Sequence, residues 1–229
     1  MKEGVRGGIM AAGHGQRFRK AGFSLPKPMI EVGGIPLVGR SVASFRDAGI
    51  TSITAVFNSS NVRQCSDYLL SGFPDMEFDI ICRDTVTSAE TFLTLAASVP
   101  DSRLVITTVD SIFAEDTFGS LVAFSSAMPP GAVCLGMSSY IDDERPLYIS
   151  VDGTGRVTAL GEKSDMVTCG VYALDSSVVR GYNHRDFMAL RKLLGRFLED
   201  GLLVTGLDMG RVIDVDRPED LEEAGKIVV

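Results

Sequence analysis

Apolar runs of strand length alternate with helical patterns over the first 137 residues. The runs predict strands at 5–10, 52–57, 78–82, 104–109 and 132–138. Apolar positions spaced as on one helix face predict helices at 37–48, 62–70, 88–98 and 113–126, with Ser88 as the N-cap of the third. Strands that alternate with helices of this length indicate a parallel sheet with right-handed crossovers.

The pattern changes after Met137. The segments 147–151 and 156–161 flank Asp-Gly-Thr-Gly and predict a hairpin. Further strands are predicted at 167–174, 202–205 and 211–215, and helices at 175–182, 186–200 and 218–228. We therefore expect one α/β domain over 1–229 with a mixed, mostly parallel sheet, whose halves are 1–137 and 138–229. Ligands bind beyond the carboxyl ends of such strands, so the loops after Met10, Cys82 and Val109 are expected to face the site.

Composition excludes several classes of protein. The net charge is −8, and no basic stripe is present, so we expect no nucleic-acid partner. No run approaches the ~20 apolar residues of a membrane span, and the apolar patch at 8–12 is too short for a signal sequence. We expect a cytoplasmic protein. The four cysteines form no CxxC pair, so a structural zinc site is not predicted.

The strongest candidate chemistry lies in residues 10–18, MAAGHGQRF, followed by PKPM at 26–29. This segment begins where the first strand ends. Small residues and glycines let backbone N–H groups approach phosphate oxygens, and Arg17 and Lys27 add positive charge. The loop lacks the Lys-Ser/Thr ending of a P-loop, and its glycines do not fit GxGxxG. The alternative is an ordinary Gly-rich turn with a surface arginine.

Two carboxylate positions stand out further along the chain. Asp110 follows the fourth strand, where a ligand is expected, although it could instead cap the next helix. Asp214 lies in VIDVDRPEDL at 212–221. Asp216 competes with it, because period-two alternation puts both on one face of an extended segment. Helix capping and first-turn charge are the alternative roles for this pair.

These motifs resemble the sugar nucleotidyltransferase family, which includes glucose-1-phosphate thymidylyltransferases and mannose-1-phosphate guanylyltransferases. Its A-G-G/A-G-x-G-x-R loop and P-K-P motif match 10–17 and 26–29, and IEVGGIPL at 30–37 continues the match. The resemblance implies a Rossmann-like three-layer α/β/α fold of the nucleotide-diphospho-sugar transferase type. It implies condensation of a nucleoside triphosphate with a sugar 1-phosphate, which releases pyrophosphate. Family members often form dimers, so a homodimer is also implied.

The same resemblance implies roles for individual residues. Asp110 and Asp214 would hold Mg²⁺, although Val109 replaces the usual Gly and Arg217 the usual Thr. Lys163 would bind the acceptor phosphate. Arg83 would read the base, unless it pairs with Asp84 or another carboxylate. The implied nucleotide-binding residues are Met10, Ala11, Ala12, Gly13, Gly15, Arg17, Arg83 and Ser88; the acceptor-binding residues are Glu162, Lys163, Thr168 and Gly170; and the catalytic residues are Arg17, Lys27, Asp110 and Lys163.

Four alternatives remain open from the sequence. A cytidylyltransferase for phosphocholine or a polyol phosphate shares the loop and the Asp pair, but the chain has no Trp and few Tyr for a choline cage. The Glu162-Lys163 pair could be a solvated surface pair. A molybdopterin guanylyltransferase is a more distant option. A nucleotide-binding regulatory module without catalysis is the alternative of a different class, although Lys27, Asp110 and Asp214 are all present.

Overall fold

A computed structural model describes residues 4–141 and 145–228 of the chain. Thirteen strands and seven α-helices lie in this part of the chain. The strands are β1 (Val5–Ala11), β2 (Glu31–Val32), β3 (Ile35–Pro36), β4 (Ser52–Phe57), β5 (Glu77–Cys82), β6 (Arg103–Thr108), β7 (Ser111–Phe113), β8 (Val133–Ser138), β9 (Ile149–Val151), β10 (Val157–Leu160), β11 (Val167–Asp175), β12 (Val204–Asp208) and β13 (Val212–Asp214). The helices are α1 (Gln16–Lys20), α2 (Leu37–Asp47), α3 (Val62–Gly72), α4 (Ser88–Ser98), α5 (Glu115–Ala127), α6 (Leu190–Glu199) and α7 (Asp220–Ile227).

Seven strands form the central sheet, in the order β12-β8-β11-β6-β1-β4-β5. Neighbouring strands are parallel except that β11 runs antiparallel to both β6 and β8. The predicted mixed, mostly parallel sheet is therefore confirmed. Strand β1 has β4 on one side and β6 on the other, so the chain reverses its direction of winding at β1. Such a switch point opens a crevice beyond the carboxyl ends of the strands.

Helices cover both faces of this sheet and give three layers. On one face α2 and α5 pack together, with the rings of Phe45 and Phe118 at 4.9 Å between centroids. On the other face α4 and α6 pack together and bury Phe92 and Phe197 completely. Each such phenylalanine contributes about 1.5–3 kcal/mol through removal of its side chain from water. The apolar face of each helix thus fixes its place against the sheet.

Several predicted boundaries are corrected by tertiary contacts. The N-cap of α4 is Thr87, whose hydroxyl accepts from Glu90 N at 3.1 Å, and not Ser88. Ser88 Oγ instead accepts from Leu190 N at 3.0 Å, at the first residue of α6. That helix, predicted from residue 186, therefore begins at 190. The predicted helix 175–182 is a 3₁₀ segment, Ser176–Gly181.

Two elements near the crevice were not predicted. The short helix α1 follows the Gly-rich loop, and β7 occupies the beginning of a segment predicted to lead directly into a helix. Strand β7 pairs antiparallel with β13, so Ser111 lies opposite Asp214. The hairpin predicted around Asp152 is confirmed by the antiparallel pair β9 and β10. Within the described residues, none of the helices is long and apolar enough to cross a membrane.

Candidate active site

The Gly-rich loop leaves β1 and crosses the carboxyl edge of the sheet. Gly15 has a φ of +58°, and an added Cβ would lie 2.7 Å from the Cβ of Lys27. A left-handed residue without a side chain is thus required where the loop passes the PKP segment. This contact places the two halves of the sequence motif against each other.

Two buried asparagines that the sequence did not single out hold this loop in place. Asn58 Nδ2 donates to the carbonyl of Ala12 at 2.9 Å, and Asn61 Nδ2 donates to the carbonyl of Ala11 at 3.0 Å. Both side chains are 1% exposed. The only sequence signal is a pair of asparagines after β4, and such residues are common in turns. Their role depends on the neighbouring position of β1 and β4 in the sheet.

Three carboxylates converge beside the loop. One oxygen from each of Asp110, Asp214 and Asp216 lies within 4.8 Å of the others. We call this set the carboxylate cluster. The pairing of β7 with β13 brings it together, and Val215 N donates to the carbonyl of Asp110 at 3.0 Å. Asp214 and Asp216, which were competing candidates, therefore both join Asp110.

Two cations of the sequence motif bind the carboxylate cluster. Lys27 Nζ donates to Asp110 Oδ2 at 2.5 Å and also to Asp216 Oδ1. Arg17 donates to Asp216 Oδ2. Lys27 is 8% exposed, whereas the Asp110 side chain is 21% exposed. The motif cations and the acidic residues thus form one partly buried ion-pair network.

The network changes the proton affinities of its members. Burial disfavours the charge on Lys27, but Asp110, Asp214 and Asp216 together raise the pKa of this lysine above its ordinary value. Burial alone would raise the pKa of Asp110. The Lys27 ammonium and hydrogen bonds from Lys27 and Thr108 outweigh burial and hold that pKa below its ordinary value. Lysine and carboxylate are therefore both charged near neutral pH.

Two cavities meet at the carboxylate cluster. The first, of about 500 Å³, is lined by the Gly-rich loop and the segment 85–88; we call it the loop cavity. The second, of about 380 Å³, is lined by the start of β11, the start of α6 and residues after β13; we call it the β11 cavity. The residues that line both are Met10, Arg17, Ser88, Thr108, Asp110 and Asp216. The arrangement suits two ligands that meet at the cluster.

An irregularity in β11 shapes the second cavity. The pairing of β11 with β8 shifts between Thr168 and Tyr172, and Gly170 has a φ of +77°. A Cβ there would lie 2.2 Å from Ser111 Oγ. Ser111 Oγ donates to the carbonyl of Cys169 at 2.9 Å. Glycine at 170 therefore allows β11 to approach β7 closely and places Thr168 and Gly170 in the cavity wall.

Most of the predicted site residues lie together, but four do not line either cavity. Ala11, Arg83, Glu162 and Lys163 are absent from both walls. Arg83 pairs with Glu90 at 3.0 Å, which was one of the open alternatives for this arginine, although Asp84 is not its partner here. Glu162 and Lys163 are exposed on the turn after β10. The predicted residues Met10, Ala12, Gly13, Gly15, Arg17 and Ser88 line the loop cavity.

Glu90 explains the geometry of the segment that closes the loop cavity. Its carboxylate accepts from Val86 N at 2.9 Å and from Arg83. The hydrogen bond from Val86 lowers the pKa of Glu90 against the effect of burial. Thr87 and Glu90 thus resemble a capping box, except that the glutamate bonds the amide one residue earlier. Arg83 supports this turn from outside.

The carboxylate cluster has the chemistry of a divalent-cation site. Oxygen ligands at close spacing suit Mg²⁺, which is bound by one or two carboxylates together with phosphate oxygens. Asp110 and Asp214, with Asp216 beside them, would hold such an ion. The loop cavity lies next to them, so a phosphate bound there would complete the ligand set. The residues present therefore fit a magnesium site.

Comparisons with known proteins agree with this architecture. The inositol-1-phosphate CTP transferase from T. maritima superposes with a TM-score of 0.82 at 20% identity, covering 100% of both chains. A thymidylyltransferase-like protein from Bacillus anthracis superposes with a TM-score of 0.84 at 20% identity, covering 97% of this chain and 94% of that chain. Both folds confirm the expected nucleotide-diphospho-sugar transferase architecture.

Sequence relatives cover nearly the whole chain. The low-salt glycan biosynthesis nucleotidyltransferase Agl11 of Haloferax volcanii is 23% identical over 98% of this chain. The chain spans 66% of that relative's length, which is just under two thirds. The family described as the MobA-like NTP transferase domain matches residues 7–164, from β1 to the turn after β10. Since the match covers more than half of the sequence, the protein belongs to the MobA-like NTP transferase domain family.

Proposed function

We propose that this protein is a Mg²⁺-dependent nucleotidyltransferase that condenses a nucleoside triphosphate with a sugar 1-phosphate to give a nucleoside diphosphate sugar and pyrophosphate. The observation that carries the proposal is the carboxylate cluster at the junction of two cavities. One cavity has the features of a phosphate site, and the other offers space for a second substrate. A simple nucleotide-binding module needs only the first.

The triphosphate is assigned to the loop cavity. The Gly-rich loop brings backbone amides close to that space, and Arg17 and Lys27 lie beside the carboxylate cluster. Backbone N–H groups and fixed cations stabilise charge that develops on a leaving pyrophosphate. In this proposal the two cations exchange carboxylate contacts for phosphate oxygens once the nucleotide binds. Met10, Ala12, Gly13, Gly15 and Ser88 provide the surrounding wall.

The acceptor is assigned to the β11 cavity. An oxygen of its phosphate attacks the α-phosphorus of the triphosphate. The new P–O bond forms as the bond from the α-phosphorus to the bridging oxygen breaks, and pyrophosphate leaves with that bridging oxygen. The phosphate monoester is already a nucleophile, so no protein base is needed. Mg²⁺, when held by Asp110 and Asp214, supplies charge neutralisation for the phosphate oxygens.

The names of the relatives support a phosphorylated acceptor. A probable mannose-1-phosphate guanylyltransferase of Oryza sativa is 22% identical over 93% of this chain, and the chain spans 61% of its length. A sugar 1-phosphate is the acceptor in that protein's name. No nucleobase is assigned to the triphosphate, because Arg83, the residue implied to read it, pairs with Glu90 and lies outside the loop cavity.

The proposal is tested by pyrophosphate release. The purified protein would be incubated with Mg²⁺ and each of the five common nucleoside triphosphates, crossed with sugar 1-phosphates, phosphocholine and polyol phosphates. We expect release only when one triphosphate and one acceptor are combined, and its loss on addition of a chelator. Release that needs no acceptor would contradict the proposal and indicate a hydrolase. Nucleotide binding without release from any pair would favour the regulatory module.

A further inference from the structure

The β11 cavity contains a cation that the family motif does not include. Arg191, the second residue of α6, lines this cavity. Its guanidinium donates to the backbone carbonyl of Arg145 at 2.7 Å. Within residues 4–141 and 145–228, it has no carboxylate at ion-pair distance. Most of its donors therefore remain available to a ligand, since a guanidinium carries five N–H groups.

Some other arginines of the molecule are paired with carboxylates of the same chain. Arg103 pairs with Asp175 at 2.8 Å, and Arg196, also on α6, pairs with Asp200 at 2.9 Å. The first turn of α6 has no acidic residue that could neutralise Arg191. Among the described residues, Arg191 therefore has a positive charge that no carboxylate pairs with, and it lines a cavity, in a chain of net charge −8. Its place in a cavity wall is what a bound anion would require.

Arg191 and part of the carboxylate cluster enter the cavity from opposite faces of the sheet. Helix α6 belongs to the core that contains Leu193 and Phe197, whereas Ile213 and Val215 around Asp214 belong to the core on the other face. The cavity therefore extends across the edge of the sheet, with carboxylates entering from one side and Arg191 from the other. A bound anion could contact the arginine without lying wholly among the carboxylates.

We propose that Arg191 binds the phosphate of the acceptor, in the role that the family motif assigns to Lys163. This inference rests on the proposed function. Lys163 is exposed and outside the cavity wall. The planar guanidinium of Arg191 offers paired N–H groups that match two phosphate oxygens. Its bond to the Arg145 carbonyl orients that plane. The arginine thereby holds the attacking phosphate toward the carboxylate cluster.

Kinetics of three variants test the assignment. Arg191→Met is compared with Lys163→Met and with Arg196→Met, a matched control on the same helix whose ion pairs lie on the surface. The acceptor concentration is varied at saturating triphosphate. We expect Arg191→Met to raise the acceptor KM about 10- to 100-fold, as for loss of hydrogen bonds to a charged group. The triphosphate KM of Arg191→Met should stay near the wild-type value, and so should the acceptor KM of the other two variants. Arg191→Lys should recover part of the lost acceptor affinity.

The opposite pattern overturns the assignment. If Lys163→Met raises the acceptor KM and Arg191→Met does not, Lys163 has the role and the proposed transfer reaction still stands. Calorimetric titration with glucose 1-phosphate, without nucleotide, tests the phosphate-binding role of Arg191 separately from the proposed transfer reaction. Binding that Arg191→Met abolishes would support the assignment even if no pyrophosphate were released by the wild type. Neither binding nor release by the wild type with any acceptor of the panel would overturn both.

Discussion

The loop cavity and the β11 cavity handle charge in different ways. Beside the loop cavity, Lys27 and Arg17 are held by carboxylates of the same chain. In the β11 cavity, the Arg191 guanidinium is held by a backbone carbonyl. The first site is an ion-pair network that also supports the fold. In the second, no carboxylate of the described residues pairs with the cation, which can therefore bind an anionic ligand. Substitutions at the first should therefore change stability and turnover together, and substitutions at the second should change acceptor binding.

The largest effect is expected from the carboxylate cluster. Asp110→Asn and Asp214→Asn should each lower kcat about 10²- to 10⁴-fold, because a metal site contributes several kcal/mol to charge stabilisation. Asp216→Asn should lower it less, since both Asp216 oxygens are engaged by Lys27 and Arg17. Steady-state kinetics of pyrophosphate release measures this, with Asp79→Asn on the exposed Arg6 pair as the matched control. Normal turnover of Asp110→Asn would refute the assignment of the metal site.

The next largest effect is expected from Lys27→Met, in stability. This change leaves Asp110 partly buried without its ammonium partner, which should destabilise the fold by up to about 3 kcal/mol at pH 7. In the wild type the pKa of Asp110 is lowered, so its contribution is present above the ordinary Asp pKa and lost as pH falls through the lower folded value.

In Lys27→Met, burial raises that pKa instead, so the variant should recover as pH falls through the raised value, and the recovery should be complete near the ordinary Asp pKa of about 4. Denaturant melts in chelator at pH 7 and pH 4 measure the difference between variant and wild type. Added Mg²⁺ should stabilise the variant more than the wild type, because the ammonium no longer competes for the cluster. A stability loss that is equal at both pH values would contradict the paired network.

A smaller effect is expected at Gly170. An alanine Cβ would meet Ser111 Oγ at 2.2 Å and Thr108 Oγ1 at 2.4 Å, and the φ of +77° disfavours it. Gly170→Ala should cost about 1–3 kcal/mol of stability through this strain. It should also raise the acceptor KM more than the triphosphate KM, since Gly170 lines only the β11 cavity. Gly161→Ala provides the control: its φ is +92°, but a Cβ there contacts nothing within 4 Å. Equal effects of the two variants on the acceptor KM would show that the close approach is unimportant.

The smallest effect is expected from Arg83→Met. Arg83 is 44% exposed on its side chain and pairs with Glu90, which keeps its bond from Val86 N when the arginine is lost. The stability change should stay within about 1 kcal/mol, as for exposed pairs. The preference among nucleoside triphosphates should not change. A switch in preference, measured by kcat/KM for each triphosphate, would instead support the base-reading role that the family resemblance implies.

Much of the fold and of the loop cavity could be predicted because the signals are local. The apolar period of β1 and β4, and the residues of the Gly-rich loop with Lys27, lie in short contiguous segments. What could not be predicted depends on contacts between distant residues. The start of α6 is set by Ser88, about 100 positions earlier, and the pairing of β7 with β13 joins three-residue strands. Neither contact has a periodic signature.

The acceptor-binding residues were also difficult to predict, because their positions depend on distant contacts. The Glu-Lys pair at 162–163 was identified from its resemblance to a motif, but burial and cavity position are three-dimensional properties that no spacing reveals. Arg191 sits in a helix whose polar positions all resemble ordinary solvent-exposed ones. The same holds for Asn58 and Asn61, whose function depends on the neighbouring strand β1. The division into a nucleotide-binding and an acceptor-binding half stays a prediction.

The most direct measurement follows the phosphorus atoms of the triphosphate. The triphosphate and acceptor that give release would be incubated with Mg²⁺ and the protein, using triphosphate labelled at either the α- or the γ-phosphorus. We predict that the α label appears in a new nucleoside diphosphate sugar and the γ label in pyrophosphate, both only when acceptor is present. Transfer of the γ label to the acceptor, or release of the α label as free nucleoside monophosphate, would contradict it.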